Sequence, residues 1–490
     1  MSKKLKIGII QNTPLTADFP NNLRQIVQGY RECLDHDAEI IVAPAHALCG
    51  ADPMDMADRN SFVGQTEAAL HALSLELGEV PLILGAYTRY GIDPMDDELL
   101  AELMQDSNAE PIAYTQLSPY LLTNNEVTLL ENGEVCELDD KRILVYCDDS
   151  LEHMDDENID VKINLACAPW YAGAQAEWEH ACMWDAKAIM QPVVSVKHVG
   201  CTGENIYAGG SAVFSAEGDT IARLPLFESA ARVVNVYSKA RAKARPTEEE
   251  QMCSAIEFGI RETVRNNGFT GVCLSLDTPN ASLLAALCVE ALGRSNVVGI
   301  TTSESSDIAT SLRITTHKLE LGALMAEADK LFANDSTAIR ERILAAAQYT
   351  YAESRGLMYV CPLARRDFML GTYNQYGASC GHFAPLGNLY EMDLHMLRVY
   401  LSEKYATLFG ALSEPGTPAT DRIIHELADR NLSATELMNK HTCPFEENEI
   451  RLVQRKIIAS AIKRTQMPPV LRADKLIERI ELPVSHRMND

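Results

Sequence analysis

Positive charge is scarce in this 490-residue sequence: 43 Lys and Arg stand against 69 Asp and Glu, a formal net charge of −26. A nucleic-acid partner is excluded on that balance, because a phosphate backbone is met by clustered Lys and Arg. Docking on an anionic lipid surface is disfavoured for the same reason, and the Lys3-Lys4-Leu5-Lys6 start is too short to offset it. No run of about 18 apolar residues exists, so no membrane-spanning helix is expected. The start passes straight into KIGIIQ, which reads as a strand, without the apolar core and small-residue cleavage site of a secretory leader. Also missing are CxxC pairs, low-complexity tracts and short internal repeats. The thirteen cysteines are odd in number and scattered through apolar segments. Such usage fits buried thiols in a reducing cytoplasm better than a disulfide framework.

What is there is a large apolar fraction, 47%, enough for more than one core at roughly 100–200 residues per domain. Short runs rich in Val, Ile and Leu, punctuated by Asn, Asp, Gly and Pro, predict strands at Lys6–Gln11, Glu39–Pro44, Pro81–Tyr87, Glu126–Leu130, Arg142–Cys147, Asp160–Ala166, Pro192–Val196 and Ala231–Tyr237. Amphipathic stretches at Asn21–Asp35 and Gly64–Leu77 read as helices. Residues 1–240 are therefore expected to form an α/β domain. Residues 241–254 read as a linker, and Glu248–Glu250 favour a helix start by complementing the helix dipole. In 255–490 the order strand (Gly271–Leu276), polar turn, helix (Ser282–Leu292), strand (Asn296–Thr301) predicts a doubly wound parallel sheet. Ligands bind such sheets at the carboxyl ends of the strands. A further helix (Ala338–Ser354) and strand (Leu357–Pro362) follow, and the tail is helical from Asp421 to Met467-Pro468-Pro469.

Several local strings, in collinear order over nearly the whole chain, resemble those of the glutamine-dependent NAD⁺ synthetases. IIVAPAHALCG (Ile40–Gly50) stands where that family has a segment like VVFPELALTG. INLACAPWYAG (Ile163–Gly173) and VGCTGENIYAGGS (Val199–Ser211) are similar to LNLNASPYHVG and VGGQDELVFDGGS. In the second half, VRNNGFTGV (Val264–Val272), GTYNQYGASCGHFAP (Gly371–Pro385) and KRTQMPPVLR (Lys463–Arg472) have counterparts in the same order. The resemblance implies an N-terminal nitrilase-like α-β-β-α sandwich followed by a Rossmann-like domain of the adenine nucleotide alpha hydrolase type. It also implies a glutaminase feeding ammonia to a synthetase that uses ATP and Mg²⁺ to amidate nicotinic acid adenine dinucleotide, and a homo-octamer.

Amide hydrolysis needs a nucleophile, a base and a positive group for the oxyanion; the family's set is Cys, Glu and Lys. Cys147 ends the strand RILVYC at the nucleophile position. At the base position stands Ala45, and a methyl group accepts no proton. His46 is adjacent, but along a strand it should face the other way. The segment that carries the family lysine is shortened here, and Lys141 belongs to the lead-in of the nucleophile strand. Asp148 replaces a family Glu, and Ala168 and Ala174 replace a Ser and a Lys. The acidic run Asp148, Asp149, Glu152, His153, Asp155, Asp156 and Glu157 lacks calcium-loop spacing and reads as solvated loop.

The synthetase half departs in the same way. Where the family has SGGxDS, whose backbone N–H groups wrap a pyrophosphate, this chain has Asp277-Thr278-Pro279-Asn280-Ala281-Ser282. Pro279 removes an N–H donor, and Asp277 adds negative charge where pyrophosphate should sit. Thr278, Asn280 and Ser282 are what remains of the cradle. Arg365 keeps the charge but not the geometry of a family lysine, Tyr376 is retained, and Ala378 replaces an acid. Asp367 is a weak metal-ligand candidate. The leading reading is a catalytically degenerate member, a pseudoenzyme serving as a regulatory or assembly subunit, with no cofactor. Its partners would be copies of itself or an active homologue, in the cytoplasm. An active NAD⁺ synthetase with a rebuilt site, using ATP and Mg²⁺, and a nucleotide-binding sensor remain open.

Overall fold

A computed structural model describes residues 4–90, 114–147, 158–332, 336–410 and 419–473. The acidic run after Cys147 lies outside the described residues. The chain divides into two compact units, one of residues 1–202 and 206–245, the other of 203–205 and 246–490.

The first unit holds strands β1 (Lys6–Gln11), β2 (Ile40–Val42), β3 (Leu82–Tyr90), β4 (Tyr114–Thr123), β5 (Glu126–Leu129), β6 (Glu134–Leu138), β7 (Lys141–Tyr146), β8 (Val161–Leu165), β9 (Val193–Val196), β10 (Val199–Thr202), β11 (Asn205–Ala208), β12 (Ala212–Phe214), β13 (Thr220–Arg223) and β14 (Ala230–Asn235). They build two six-stranded sheets, ordered β14-β1-β2-β3-β4-β5 and β13-β12-β9-β8-β7-β6. The central strands β1-β2-β3 of one sheet and β7-β8-β9 of the other run parallel, so each trio ends together at one edge. Side-chain alternation separates the layers. Ile7, Ile9, Val42, Ile83, Ile143, Val145, Ile163 and Val194 share the core between the sheets. Ile10, Ile41, Leu82 and Leu84 pack outward on helices α1 (Phe19–Leu34) and α2 (Asn60–Leu75), while α3 (Ala174–Ile189) covers the other sheet. The layers are α-β-β-α.

Two of the elements that the sequence analysis did not predict contradict local rules. β4 carries Pro119 in mid-strand, normally an argument against a strand, but its register partner is Gly85. Helix α3 has a weak apolar stripe because its buried face is partly polar, with Gln175, Glu179 and Asp185 all inside. Asp185 meets Lys162 of β8 at 2.9 Å, both side chains 1% exposed.

The second unit opens with α4 (Glu248–Asn266), whose Thr247 cap and Glu250 form a reciprocal capping box. Four parallel strands follow, β15 (Gly271–Ser275), β16 (Val297–Thr301), β17 (Thr315–Lys318) and β18 (Leu357–Tyr359), in the order β17-β16-β15-β18. Helix α5 (Ala281–Leu292) joins β15 to β16, and α6 (Asp307–Leu312) joins β16 to β17. After α7 (Gly322–Leu331) and α8 (Ser336–Glu353) the chain returns to the far side of β15. The strand order therefore reverses beside β15, where a ligand crevice is normally found. Helix α9 (Arg365–Leu370) follows β18, and the helical tail has its own core around Ile423, Ile424, Ile450 and Val453. Among the described residues no helix is long and apolar enough to cross a membrane.

Candidate active sites of the two units

In the first unit Cys147 immediately follows β7, and Ala45 lies in the turn after β2, both at the edge where the parallel strands end. Both are buried, at 2% and 0% exposure, in the inter-sheet core. Gly85 of β3 sits between them. A Cβ built there would lie 2.4 Å from Cys147 Sγ and 2.7 Å from the Ala45 Cα. The fold thus brings Cys147 and Ala45, the expected nucleophile and base positions, together, yet packs them so tightly that only a glycine fits between. The Cys147 N–H donates to the Asn132 Oδ1 at 2.7 Å.

His46 is placed differently from the expectation. β2 stops at Val42, so the pleat does not orient His46; it sits in the 45–49 turn. It is buried in a second cluster at the same edge. Its ring meets His198 edge-on at 5.1 Å and stacks with Tyr87 at 6.0 Å. The His198 ring in turn lies 4.3 Å from that of Tyr207, whose hydroxyl donates to Asp52 at 2.7 Å. Burial pushes His46 down to about 4, against a pull upward from Asp52. His198 lies well below the usual imidazole range through burial, with His46 and Lys197 adding to it. Both rings are therefore neutral near pH 7.

Lys141 starts β7, roughly 20 Å from Cys147 at the strand rise, and pairs with Asp140. The Lys197 Nζ donates to Gln175 Oε1 at 3.2 Å under α3. His198, Tyr207, Asp52 and Tyr87 were invisible to the sequence analysis, since only the fold gathers them.

The retained string Val199–Ser211 has a packing role. Ser211 donates through its N–H and its hydroxyl to the Gln11 Oε1, at 3.0 and 2.9 Å. A Cβ on Gly209, whose φ is +66°, would sit 2.5 Å from the Gln11 side chain.

In the second unit the loop after β15 is occupied by its own side chains. Asp277 accepts from the Thr301 hydroxyl at 2.8 Å, the Thr302 N–H at 2.8 Å and the Thr302 hydroxyl at 3.0 Å. Asn280 spans the switch point: its Nδ2 donates to the Pro362 carbonyl at 3.1 Å, and its Oδ1 accepts from Arg398 at 3.0 Å. The Thr278 hydroxyl is buried and has no hydrogen-bond partner among the described residues, and Ser282 sits half-buried in the first turn of α5.

Arg365, Asp367 and Tyr376 do not join this loop through their side chains. Arg365 turns into the helical tail, donating to Tyr390 at 3.1 Å and to Asp429. The Asp367 carboxylate accepts from the Ala364 N–H and the Thr372 hydroxyl, both at 3.1 Å, and so closes the ends of α9. Among the described residues no three His, Cys, Asp or Glu are placed to hold a metal ion. Ala378, where the resemblance implied an acid, packs beside Cys361, Phe368 and Tyr373. Tyr376 lines a cavity of about 270 Å³ with Tyr349, Gln375, Gln466 and Met467. The retained string Lys463–Arg472 also has a packing role: Lys463 donates to the Gly371 and Tyr373 carbonyls, both at 2.7 Å.

An α-β-β-α sandwich and a parallel sheet in one chain define a two-unit α/β class, and comparison with known proteins narrows it. Residues 252–404 match the NAD synthase family model. The Glutamine-dependent NAD(+) synthetase of Synechocystis is 22% identical over 95% of both chains, and that of Thermotoga maritima is 23% identical over 81% of this chain and 80% of its own. A glutamine-dependent NAD(+) synthetase structure from Cytophaga hutchinsonii shares the fold, with a TM-score of 0.81 over 98% of both chains at 14% identity. Over nearly its whole length the chain is thus similar to glutamine-dependent NAD(+) synthetases, and residues 252–404 match the NAD synthase model.

Proposed function

We propose that this protein is a catalytically degenerate member of its family, a pseudoenzyme that acts as a regulatory or assembly subunit. The observation that carries the reading is the state of the crevice after β15. Its would-be phosphate loop spends its polar groups internally, Asp277 on Thr301 and Thr302 and Asn280 on Pro362 and Arg398. Magnesium–triphosphate does not fit these residues. A carboxylate stands where the anion would lie, Pro279 offers no N–H, and Asp367 caps a helix.

The glutaminase half supports the same conclusion independently. A buried methyl at Ala45 takes no proton from Cys147, and the two are packed in apolar core. Members of such a triad act as a unit rather than additively, so restoring one does not restore hydrolysis.

The partners we assign are further copies of this chain or an active homologue. The strings that survive, around Ser211 and Lys463, stabilise scaffold rather than chemistry. A charge of −26 per chain makes close packing of identical copies costly by self-repulsion, and a less acidic homologue lowers that cost. A reducing cytoplasm suits thirteen cysteines of which none is disulfide-bonded. The test supplies ATP, nicotinic acid adenine dinucleotide and either glutamine or ammonium to the purified chain. No NAD⁺ and no ammonia release are expected. Turnover abolished by Cys147→Ala, or NAD⁺ formed from ammonium, would overturn the reading.

A further inference from the structure

Three hydrogen-bond donors converge on the Asp277 carboxylate from the end of β16: the Thr301 hydroxyl on Oδ1, and the Thr302 N–H and hydroxyl on Oδ2. Both oxygens are engaged, at 2.8–3.0 Å, within the ordinary hydrogen-bond range. Thr301 is fixed independently of Asp277. It is 3% exposed and is the last residue of β16, and its oxygen also accepts from the Ser303 N–H at 3.0 Å. Two hydroxyls and one main-chain N–H aimed at a single carboxylate form an oxyanion site. The chain fills that site with a side chain from 24 residues upstream.

We propose that Asp277 is an intramolecular anion occupying an oxyanion site built by Thr301 and Thr302, and that it is the residue that keeps inorganic phosphates out of this crevice. The proposal rests on the degenerate reading of the same loop and deepens it. The exclusion is twofold. The carboxylate takes the donors an incoming phosphate would use, and its charge repels a second anion at contact distance, where Coulomb terms are largest. A neutral side chain that cannot reach the donors lifts both effects. An amide lifts only the charge.

The test uses the full chain and inorganic pyrophosphate as probe, titrated calorimetrically into the unmodified protein and into Asp277→Ser, Asp277→Asn and Asp277→Ser/Thr302→Val. Asp277→Asn keeps the size of the side chain and guards against misfolding, with the unfolding transition recorded for every variant. The expected result is at least about a tenfold gain in affinity for Asp277→Ser, the scale of freeing hydrogen bonds to a charged group. The gain should be smaller in Asp277→Asn and lost in the double variant. Equal affinity in the unmodified chain and Asp277→Ser would overturn the proposal. So would a gain in Asp277→Asn as large as in Asp277→Ser, or one that survives Thr302→Val. Pyrophosphate binding by the variants reports on the anion site alone, whereas NAD⁺ formation by the unmodified chain reports on the degenerate reading.

Discussion

The two candidate sites are built in opposite ways. In the sandwich the site is lined by small apolar groups: Ala45 and Cys147 lie in the inter-sheet core, with Gly85 packed between them. In the parallel sheet the polar groups are present but bound to one another, Asp277 to Thr301 and Thr302, Asn280 to Pro362 and Arg398. Packing holds the first site shut, and internal hydrogen bonds hold the second. The first should therefore respond to volume and the second to charge.

The largest effect is expected in the second unit, where substitution leaves a buried charge unpaired. Asp429 is 5% exposed and accepts from Arg365, Tyr390 and His425. Asp429→Ala should cost about 3–5 kcal/mol, because the Arg365 guanidinium is left without its partner. Chemical denaturation of the full chain measures it, and a loss below about 1 kcal/mol would show the pair to be screened like a surface bridge.

The next prediction sharpens the volume side. Gly85→Ala places a Cβ 2.4 Å from Cys147 Sγ and should cost about 3 kcal/mol, at the upper end of overpacking penalties. Adding Cys147→Gly should return part of that loss, since contacting residues are non-additive. Strict additivity of the two substitutions would argue that the thiol is not what the new methyl meets.

Acid titration separates the units in a third way. The folded-state pKa of His46 is about 4, below the usual imidazole value near 6.5, through burial. The unfolded chain therefore binds this proton first. Its contribution is present above about pH 6.5 and is lost as the pH falls toward 4, up to about 3 kcal/mol for His46, with His198 acting in the same direction. Unfolding free energy measured at pH 7, 6, 5 and 4 should fall accordingly, and the slope should flatten in His46→Leu. An unchanged slope in that variant would assign the acid sensitivity elsewhere.

The smallest effect tests the start of the second unit. Thr247→Ala removes the hydroxyl that accepts from the Glu250 N–H and should cost about 1 kcal/mol. No loss would indicate that the first turn of α4 is held by its packing instead.

Strands such as Lys6–Gln11 and Val297–Thr301 were legible because continuous apolar runs bounded by turn residues leave few alternatives. The start of α4 was legible from the acidic Glu248–Glu250, although its Thr247 cap was not singled out. β4 and α3 were not, because a proline at a tolerated register and a buried polar helix face both contradict local rules. Cys147 and Ala45 were picked out by resemblance. The imidazole cluster of His46 and His198, and the Asp277 bonds to Thr301 and Thr302, depend on contacts across strands and had no local signal. Thr302 in particular is an ordinary residue until β16 delivers it to Asp277.

The claim that both sites are filled from within is tested most directly by isothermal calorimetry of Mg-ATP with the unmodified chain, at low salt and pH 7.5. The account predicts no saturable heat at micromolar nucleotide. Saturable binding with a micromolar dissociation constant would contradict it, and would make the protein a nucleotide sensor or a working synthetase.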